Sequence, residues 1–522
     1  MAEYNYSFKS FLQARDFLSD ADNPFLQKLF SELFEDEWEE MIERVVTFTD
    51  KVSFDWRALT KEIARPENHP KLRHFNAYNE RIDEVIRPQE AVQLSNEVFS
   101  EGLFSSNQSK YEGIIKRYFL SGNGEVGVTC PIACTDGLIA LIEAFYDEVP
   151  KEVQEIYRLT KEGQDGKFAV GAQFMSEIQG GSNIPANELK AIEEGEIYRL
   201  YGNKFFCSAV HADYSVVTAK VEHSHQVSVF VVPSFIEGKR NQYQINRLKW
   251  KLGTTELASG EIDYQGAIAY PIGPLDRGIA NAVSIVLTRS RLDIGFSSAA
   301  FVMRAAREAK LYARFRQVFD RKIDEFPMAA FQLDELEDAA KRLTATSFQI
   351  YKRFSNSEKL SELEQFAVRE LILLQKIYAS KEAVEKLRLA ISIFGGHGAI
   401  EDFSAIPRLF RDAMVNELWE GPRNVLLAQI YRDIHRLNHK FTIQEILKAM
   451  FSHLTESDLR LYAEQLNNVM NINLLEFPNE VNKQAAKRWE LVWEELFLSY
   501  QYEASRIVGN QPILSEDILS SF

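Results

Sequence analysis

Apolar residues recur at three- and four-residue spacings through the first third of the chain, most clearly in NPFLQKLFSELFEDEWEEMIERVVTF (23–48) and GLIALIEAFYDEV (137–149). That spacing marks one buried helix face, so residues 1–169 are read as a mostly helical N-terminal domain with few strand signals. From about Gly171 the period changes. The runs IYRLYGNKFFCSAV, YSVVTAKV, VSVFVVP and GEIDYQGAIAYPIG are short, rich in β-branched and aromatic residues, and separated by Gly, Asn, His and Pro. They predict a β-domain over 170–275. After GPLDRGIANAV the helical period returns and persists through 284–319, 328–354 and 362–394, stretches long enough for a helical bundle over 276–440. The loop GGHGAIEDFSAIP interrupts the bundle pattern, and a helical C-terminal extension is expected over 441–522. The fold class is therefore α+β and multidomain, without an internal repeat or low-complexity tract.

Length and composition add limits. A chain of 522 residues exceeds the size at which one core stops growing, and 45% apolar with 26% charged residues is the composition of an ordinary globular protein. The start, MAEYNYSFKSFLQARDFL, lacks a basic segment followed by an apolar one, and nowhere do about 18 apolar residues run uninterrupted. A cytoplasmic protein without a membrane span is expected. Cys130, Cys134 and Cys207 cannot form a disulfide framework. No second Cys/His cluster accompanies CPIAC, so buried thiols are expected and no metal site. The net charge of −16 opposes attraction to phosphate backbones, which makes a nucleic-acid partner the lesser reading.

Three stretches carry candidate chemistry. FMSEIQGGSN (174–183) combines small hydroxyls with Gly180 and Gly181, whose backbone can approach a ligand; alone, it reads more simply as a turn. GNKFFCSAVHAD (202–213) offers Phe206 to stack on a planar ligand and Ser208 to reach its polar edge, although a buried strand aromatic is the simpler reading. In 392–424, SIFGGHGAIEDFSAIPRLFRDAMVNELWEGPRN, glycines permit close backbone approach, and Arg408 and Arg411 suit a phosphate or a pairing with Asp412. His397 reads as a hydrogen-bonding residue, for no partner ligands accompany it. Glu420, between Trp419 and a Gly-Pro break, reads by itself as a solvated helix-end charge.

The combination is far more specific than its parts. MSEIQGGS, GNKFFCS, KLGTTELASGEI, RSRLDIG, RFRQVF, FGGHG, RLFRDA and LWEGPRN occur in the order and at roughly the spacing of the acyl-CoA dehydrogenase flavoprotein family, which the chain resembles over about residues 80–435. WEGPRN, RLKWKLG and the extra C-terminal helices look most like the branch containing the alkylation-response protein AidB. The resemblance implies an N-terminal helical domain, a central β-domain and a C-terminal bundle, with FAD as cofactor. In such enzymes a glutamate removes the α-proton of an acyl thioester while the β-hydride goes to flavin N5, from the opposite face of the substrate.

Carried across, the resemblance implies that Glu420 is the base, with Arg291 near it to tune its charge. Some members place the base just before that arginine, where this chain has Ser290. Ser176 matches a hydroxyl that bonds the flavin ring and Ser182 one that reaches the diphosphate. Phe206 falls where an aromatic covers the flavin, and Ser208 where a hydroxyl contacts N5. Arg316, Phe319, Gly395 and Gly396 fit the places through which a second subunit completes the cofactor site, and Asn424 is counted with the cofactor-binding set. A homo-oligomer, most often a tetramer, follows, with acyl-CoA or an acyl-carrier thioester as substrate, an electron-transfer flavoprotein as acceptor and fatty-acid metabolism as context. Four positions depart from the pattern: Pro422 for a small hydroxyl residue, Ser392 for a glutamine, Thr255 for an arginine and Asp320 for a glycine.

The alternative reading is an AidB-like flavoprotein associated with DNA and with little dehydrogenase activity. Against it, residues 441–522 hold six basic and twelve acidic side chains. A flavin-free relative with a vestigial site is a third reading, motivated by Pro422 and Ser392. Nitroalkane-oxidase-like chemistry uses an aspartate base, which Glu420 is not.

Overall fold

The computed structural model describes residues 6–224 and 226–520; the first five residues, on which part of the reading of the N-terminus falls, lie outside the described residues. Contacts group the chain into two units, Met1–Phe54 with Ile294–Phe522, and Asp55–Asp293. The first helices are thereby grouped with the C-terminal bundle and the remaining N-terminal helices with the β-domain, a partition that runs elsewhere than 169, 275 and 440. Helices and a central sheet alternate in the expected order.

The unit Asp55–Asp293 is built on a seven-stranded sheet. Ser259–Pro271 pairs with Ile197–Ser208, which pairs with Lys190–Glu194, then Tyr214–Val221, then Val227–Pro233, which returns to Ser259–Pro271. Five strands thus close a ring, and Gly171–Phe174 and Tyr243–Leu248 extend it. Every residue of Val227–Pro233 is buried, which explains why it is apolar apart from Ser228: a strand covered on both faces needs no alternation. Its Val229 and Val231 join Val216, Leu138, Leu141 and Ile142 in one core cluster. Among the described residues one helix, Val126–Glu143, is long and apolar enough to cross a membrane, and 72% of that stretch is buried. Packing against strand Gly171–Phe174 and the core cluster makes it a core helix of this unit.

Among the described residues two hairpins lie in segments expected to be helical; in one, the helical run expected to reach Phe319 ends at Phe315 and Gln317–Val318 pairs with Arg321–Lys322. In the other, Lys71–Phe75 and Arg81–Ile86 form an antiparallel pair. Its side chains alternate between exposed and half-buried, so no apolar face announces it. The anchor is polar instead. Asp83, almost fully buried, accepts from His74 Nδ1 (2.7 Å), Arg81 Nε (2.9 Å) and the Ile245 amide (3.0 Å), which ties the hairpin to strand Tyr243–Leu248.

The other unit is helical. Glu362–Phe394 buries Val368, Leu371, Ile372, Leu373, Leu374 and Ile377 around its whole circumference, as the central helix of a bundle must. It packs against Pro327–Phe354, Ile406–Asn416 and, in the extension, Ile443–Met450. The extension is tied to the bundle by polar as well as apolar contacts: Trp489 Nε1 donates to Leu427 O (3.1 Å), and Gln349 Nε2 to Ala504 O (2.8 Å).

Gly278, which opens a short helix after the last strand, lies so close to strand Val227–Pro233 that a Cβ there would overlap the Ser228 backbone. Gly278→Ala is expected to lower stability by about 1–3 kcal/mol, the usual cost of forcing an extra carbon into a packed core, read as a lower urea midpoint at unchanged slope.

Candidate functional site

In the β-domain unit the loop after strand Gly171–Phe174 carries Ser176, and the end of strand Ile197–Ser208 carries Phe206 and Ser208. The two segments are brought together, since the Phe205 amide donates to Ser176 O (3.0 Å). Glu177 and Gly180 pair their backbones in a tight turn, and a Cβ on Gly181 would overlap Ser176 Oγ, so the glycine makes room for that hydroxyl. Ser182 is exposed just beyond. Phe206 is 54% exposed, which rejects the buried strand aromatic and leaves an apolar face beside half-buried Ser176 and Ser208. Ser208 Oγ lies 3.2 Å from Ser259 Oγ on the paired strand.

What holds this loop was passed over in the sequence. Lys204, fully buried in the ring of strands, donates to Glu177 Oε1 (2.8 Å), Met175 O (3.0 Å) and Asn187 Oδ1 (3.2 Å), with Thr218 Oγ1 also within reach (3.3 Å). Glu177 in turn accepts from the amides of Glu188 (2.6 Å) and Leu189 (3.2 Å). One ion pair thus staples the loop at 175–177 and again at 187–189. Burial brings the Lys204 ammonium down to about 8, opposed by Glu177. Burial acts to raise the Glu177 carboxyl, but the Lys204 charge and the hydrogen bonds outweigh it and hold the carboxyl below its ordinary value. A carboxyl lowered in the folded state contributes stability above its unfolded value, near 4.5, and loses it as pH falls through the folded value. Both residues stand inside quoted motifs, Glu177 in MSEIQGGS and Lys204 in GNKFFCS; the only signal was a charge placed in an otherwise buried strand pattern.

In the helical unit, Glu420 sits in the turn between helices Ile406–Asn416 and Arg423–Leu437, half-buried and with a left-handed backbone, φ 59°. Non-glycine residues seldom adopt that conformation. Lys376, fully buried on the central helix, donates to Glu417 O (2.9 Å) and Gly421 O (2.6 Å), so the turn is clamped on both sides of Glu420. Trp419 Nε1 donates to Asn416 Oδ1 (3.0 Å), and Asn416 Nδ2 to Ser297 Oγ (3.1 Å). Burial raises the carboxyl of neighbouring Glu417, with Arg423 and Lys376 opposing. Pro422 stands just before the next helix with φ −66° and makes no side-chain cap bond, and Asn424 is exposed in its first turn.

Arg316, Phe319, Gly395 and Gly396 lie in the same unit, and the helix end before Arg316 meets the glycine loop. Tyr312, one turn before Arg316, bonds His397 Nδ1 through its hydroxyl (2.9 Å) and stacks on Phe394 (4.4 Å). His397 also stacks on Phe403 (4.5 Å), the hydrogen-bonding role expected of it. Phe319 and Asp320 form the two-residue turn of a small hairpin, with φ 51° and 60°, the geometry of the tight turns hairpins favour. Asp320 thus holds a left-handed backbone of the kind glycine adopts most readily. Phe319 is 91% exposed, and nothing lies near where Cβ atoms of Gly395 and Gly396 would stand.

Other positions differ from expectation. Ser392 turns its hydroxyl back to Leu389 O (2.6 Å). Arg411 pairs with Glu401 (2.8 Å) and not with Asp412, because the loop 395–405 carries that acid across to it. Cys130 is half-buried where a buried thiol was expected; Cys134 and Cys207 are buried. Ser290 is bonded to Gln173 (3.0 Å), and Arg291 is buried on helix Thr288–Phe315.

Residues 276–435 match the family described as acyl-CoA dehydrogenase, C-terminal domain. Acyl-CoA dehydrogenase family member 11 of Caenorhabditis elegans is 29% identical over 434 residues, covering 79% of this chain and 70% of that protein. AidB of Escherichia coli (strain K12) is 28% identical over 407 residues, covering 75% and 73%. Among solved structures, Bd2924 in its apo form has a TM-score of 0.84 at 23% identity, covering 94% of this chain and 98% of that one. Caenorhabditis elegans ACDH-11 in complex with C11-CoA has a TM-score of 0.79 at 24% identity, covering 95% and 92%. At those identities the structures establish the fold.

Two substitutions separate the two lysine anchors. Lys204→Met strands the buried Glu177 charge and is expected to cost about 3–5 kcal/mol, measured by chemical denaturation. Lys376→Met leaves two carbonyls without their donor and is expected to cost about 1–3 kcal/mol, with increased amide exchange over 417–421 as the local readout.

Proposed function

Because this chain is a member of the acyl-CoA dehydrogenase family, we propose that it is an FAD-dependent oxidoreductase that introduces an α,β double bond into an acyl thioester, with Glu420 as the base. The observation that carries this reading is the turn around Glu420. A glutamate in a left-handed backbone, bracketed by two carbonyls that one buried lysine holds, is costly to maintain. Such strain collects where a side chain must be aimed. Glu420 takes the α-proton on a carboxylate oxygen, and the clamp limits the reorientation that would otherwise oppose the transfer.

The residues present fit a flavin. Ser176 and Ser208 present hydroxyl donors near Phe206, which is more than half exposed with the Lys249 ammonium 4.6 Å from its ring centre, and the missing Cβ of Gly181 leaves room for Ser176. Ser182, Arg316, Phe319, Gly395, Gly396 and Asn424 complete the set assigned to the cofactor. When bound, FAD supplies the acceptor for the β-hydride. Arg291 is assigned to tuning the charge of the base. The exposure of Phe319 and the open glycine loop support completion of the cofactor site by a second copy of the chain, in a homotetramer. Coenzyme A is the favoured carrier, since the nematode relative was crystallised with C11-CoA. An electron-transfer flavoprotein serves as acceptor, and the protein works in the cytoplasm, in fatty-acid metabolism. The acidic extension weighs against DNA.

Protein loaded with FAD is expected to lose its visible flavin absorbance when saturated acyl-CoA thioesters are added without oxygen, fastest at one chain length. Glu420→Gln is expected to bind FAD equally and to slow that bleaching by about 10²–10⁴, the usual contribution of a positioned base. Bleaching at the unmodified rate would remove Glu420 from the role.

A further inference from the structure

In Lys249-Trp250-Lys251 the pattern of a surface loop is inverted: Trp250 is fully exposed, while both lysines turn their ammonium groups to the protein. Lys249 bonds Glu261 (2.7 Å). Lys251 Nζ donates to Leu257 O (3.0 Å) and to Ser259 Oγ (2.9 Å). Ser259 is 2% exposed, and its hydroxyl lies 3.2 Å from that of Ser208, its register partner on the neighbouring strand. An ammonium can only donate, and a hydroxyl has one proton to give. Since Ser259 Oγ accepts from Lys251, its own proton needs another acceptor, and a buried hydroxyl proton left without one is costly. Among the described residues, Ser208 Oγ is the acceptor it reaches. The direction of the chain follows: Lys251 donates to Ser259, Ser259 to Ser208, and the proton of half-buried Ser208 is left for a group outside the sheet.

We propose that Lys251, Ser259 and Ser208 form a polarised donor chain that sets the Ser208 hydroxyl as a donor toward the flavin and lowers the reduction potential of FAD bound there. The proposal rests on the assignment of FAD to the site and of Ser208 to N5. Uptake of a hydride would bring two electrons and one proton and leave that hydrogen on N5. A donor whose polarity is set by a cation bonds the bare N5 of the oxidised ring and meets a second donor once N5 carries hydrogen, so it favours the oxidised ring. Lys251 and Ser259 do not touch the substrate and are positioning residues that act through Ser208.

The test is the two-electron midpoint potential of bound FAD in the wild-type protein and in Lys251→Met, Ser259→Ala, Ser208→Ala and the Lys251→Met/Ser208→Ala double variant. Lys251→Met and Ser259→Ala are each expected to retain FAD and to strengthen binding of the reduced relative to the oxidised cofactor about tenfold, a rise of about 30 mV for a two-electron couple. The double variant is expected to rise no further than Ser208→Ala alone, because residues acting through one another are not additive. A purely structural role would change thermal stability and leave the potential in place. An unchanged potential in Lys251→Met, or shifts that add in the double variant as a through-space charge would make them, overturns the chain while leaving FAD binding intact. Should Lys251→Met not fold, Ser259→Ala carries the same comparison. Wild-type protein that takes up no FAD overturns the cofactor assignment and this inference with it.

Discussion

A lysine ammonium sealed inside a ring of strands depends on its carboxylate, and the loop that carries Ser176 depends on that pair. Lys204 and Glu177 are 27 residues apart and both nearly inaccessible. Removing either leaves a charge that the interior cannot solvate. The pair does more than survive burial. Its remaining hydrogen bonds run to the backbone and side chains at both ends of the loop 175–189, so Ser176 is placed by an electrostatic anchor. A loop fixed only by apolar contacts has no comparable means of setting the direction of a hydroxyl.

The same device recurs in the helical unit with carbonyls in place of a carboxylate. Lys376 reaches from the central helix to both flanks of the turn that carries Glu420. There it offsets an unfavourable backbone. Of the non-glycine residues with left-handed φ, Ala209, Thr254, Phe319, Asp320 and Glu420 all stand in or beside the motifs of the candidate site. Each such residue costs on the order of 1–3 kcal/mol and persists only where its surroundings over-determine it.

Charge acts here by position more than by total. The chain is strongly acidic overall, yet Lys204, Lys251 and Lys376 all turn their ammonium groups onto backbone carbonyls or buried side chains at the candidate site. A lysine is suited to this because its three donors diverge from one point and can bind groups contributed by separate segments.

Periodicity alone determined the order of elements, because helix and strand faces are local properties of a few turns or a few residues. The motif order pointed to the family for the same reason: glycines and small hydroxyls at fixed spacings are constraints the backbone imposes locally. The hairpin at 71–86 escaped because its anchor, Asp83, is polar and meets Ile245 from 162 positions away. The Lys204–Glu177 pair, the Lys376 clamp 45 positions from Gly421 and the Ser259–Ser208 contact 51 positions apart escaped likewise. In a sequence, a buried lysine and a solvated one are the same letter. Only the tertiary structure decides which is which, since the cost of desolvating a charge exists only once the surrounding chain has closed over it.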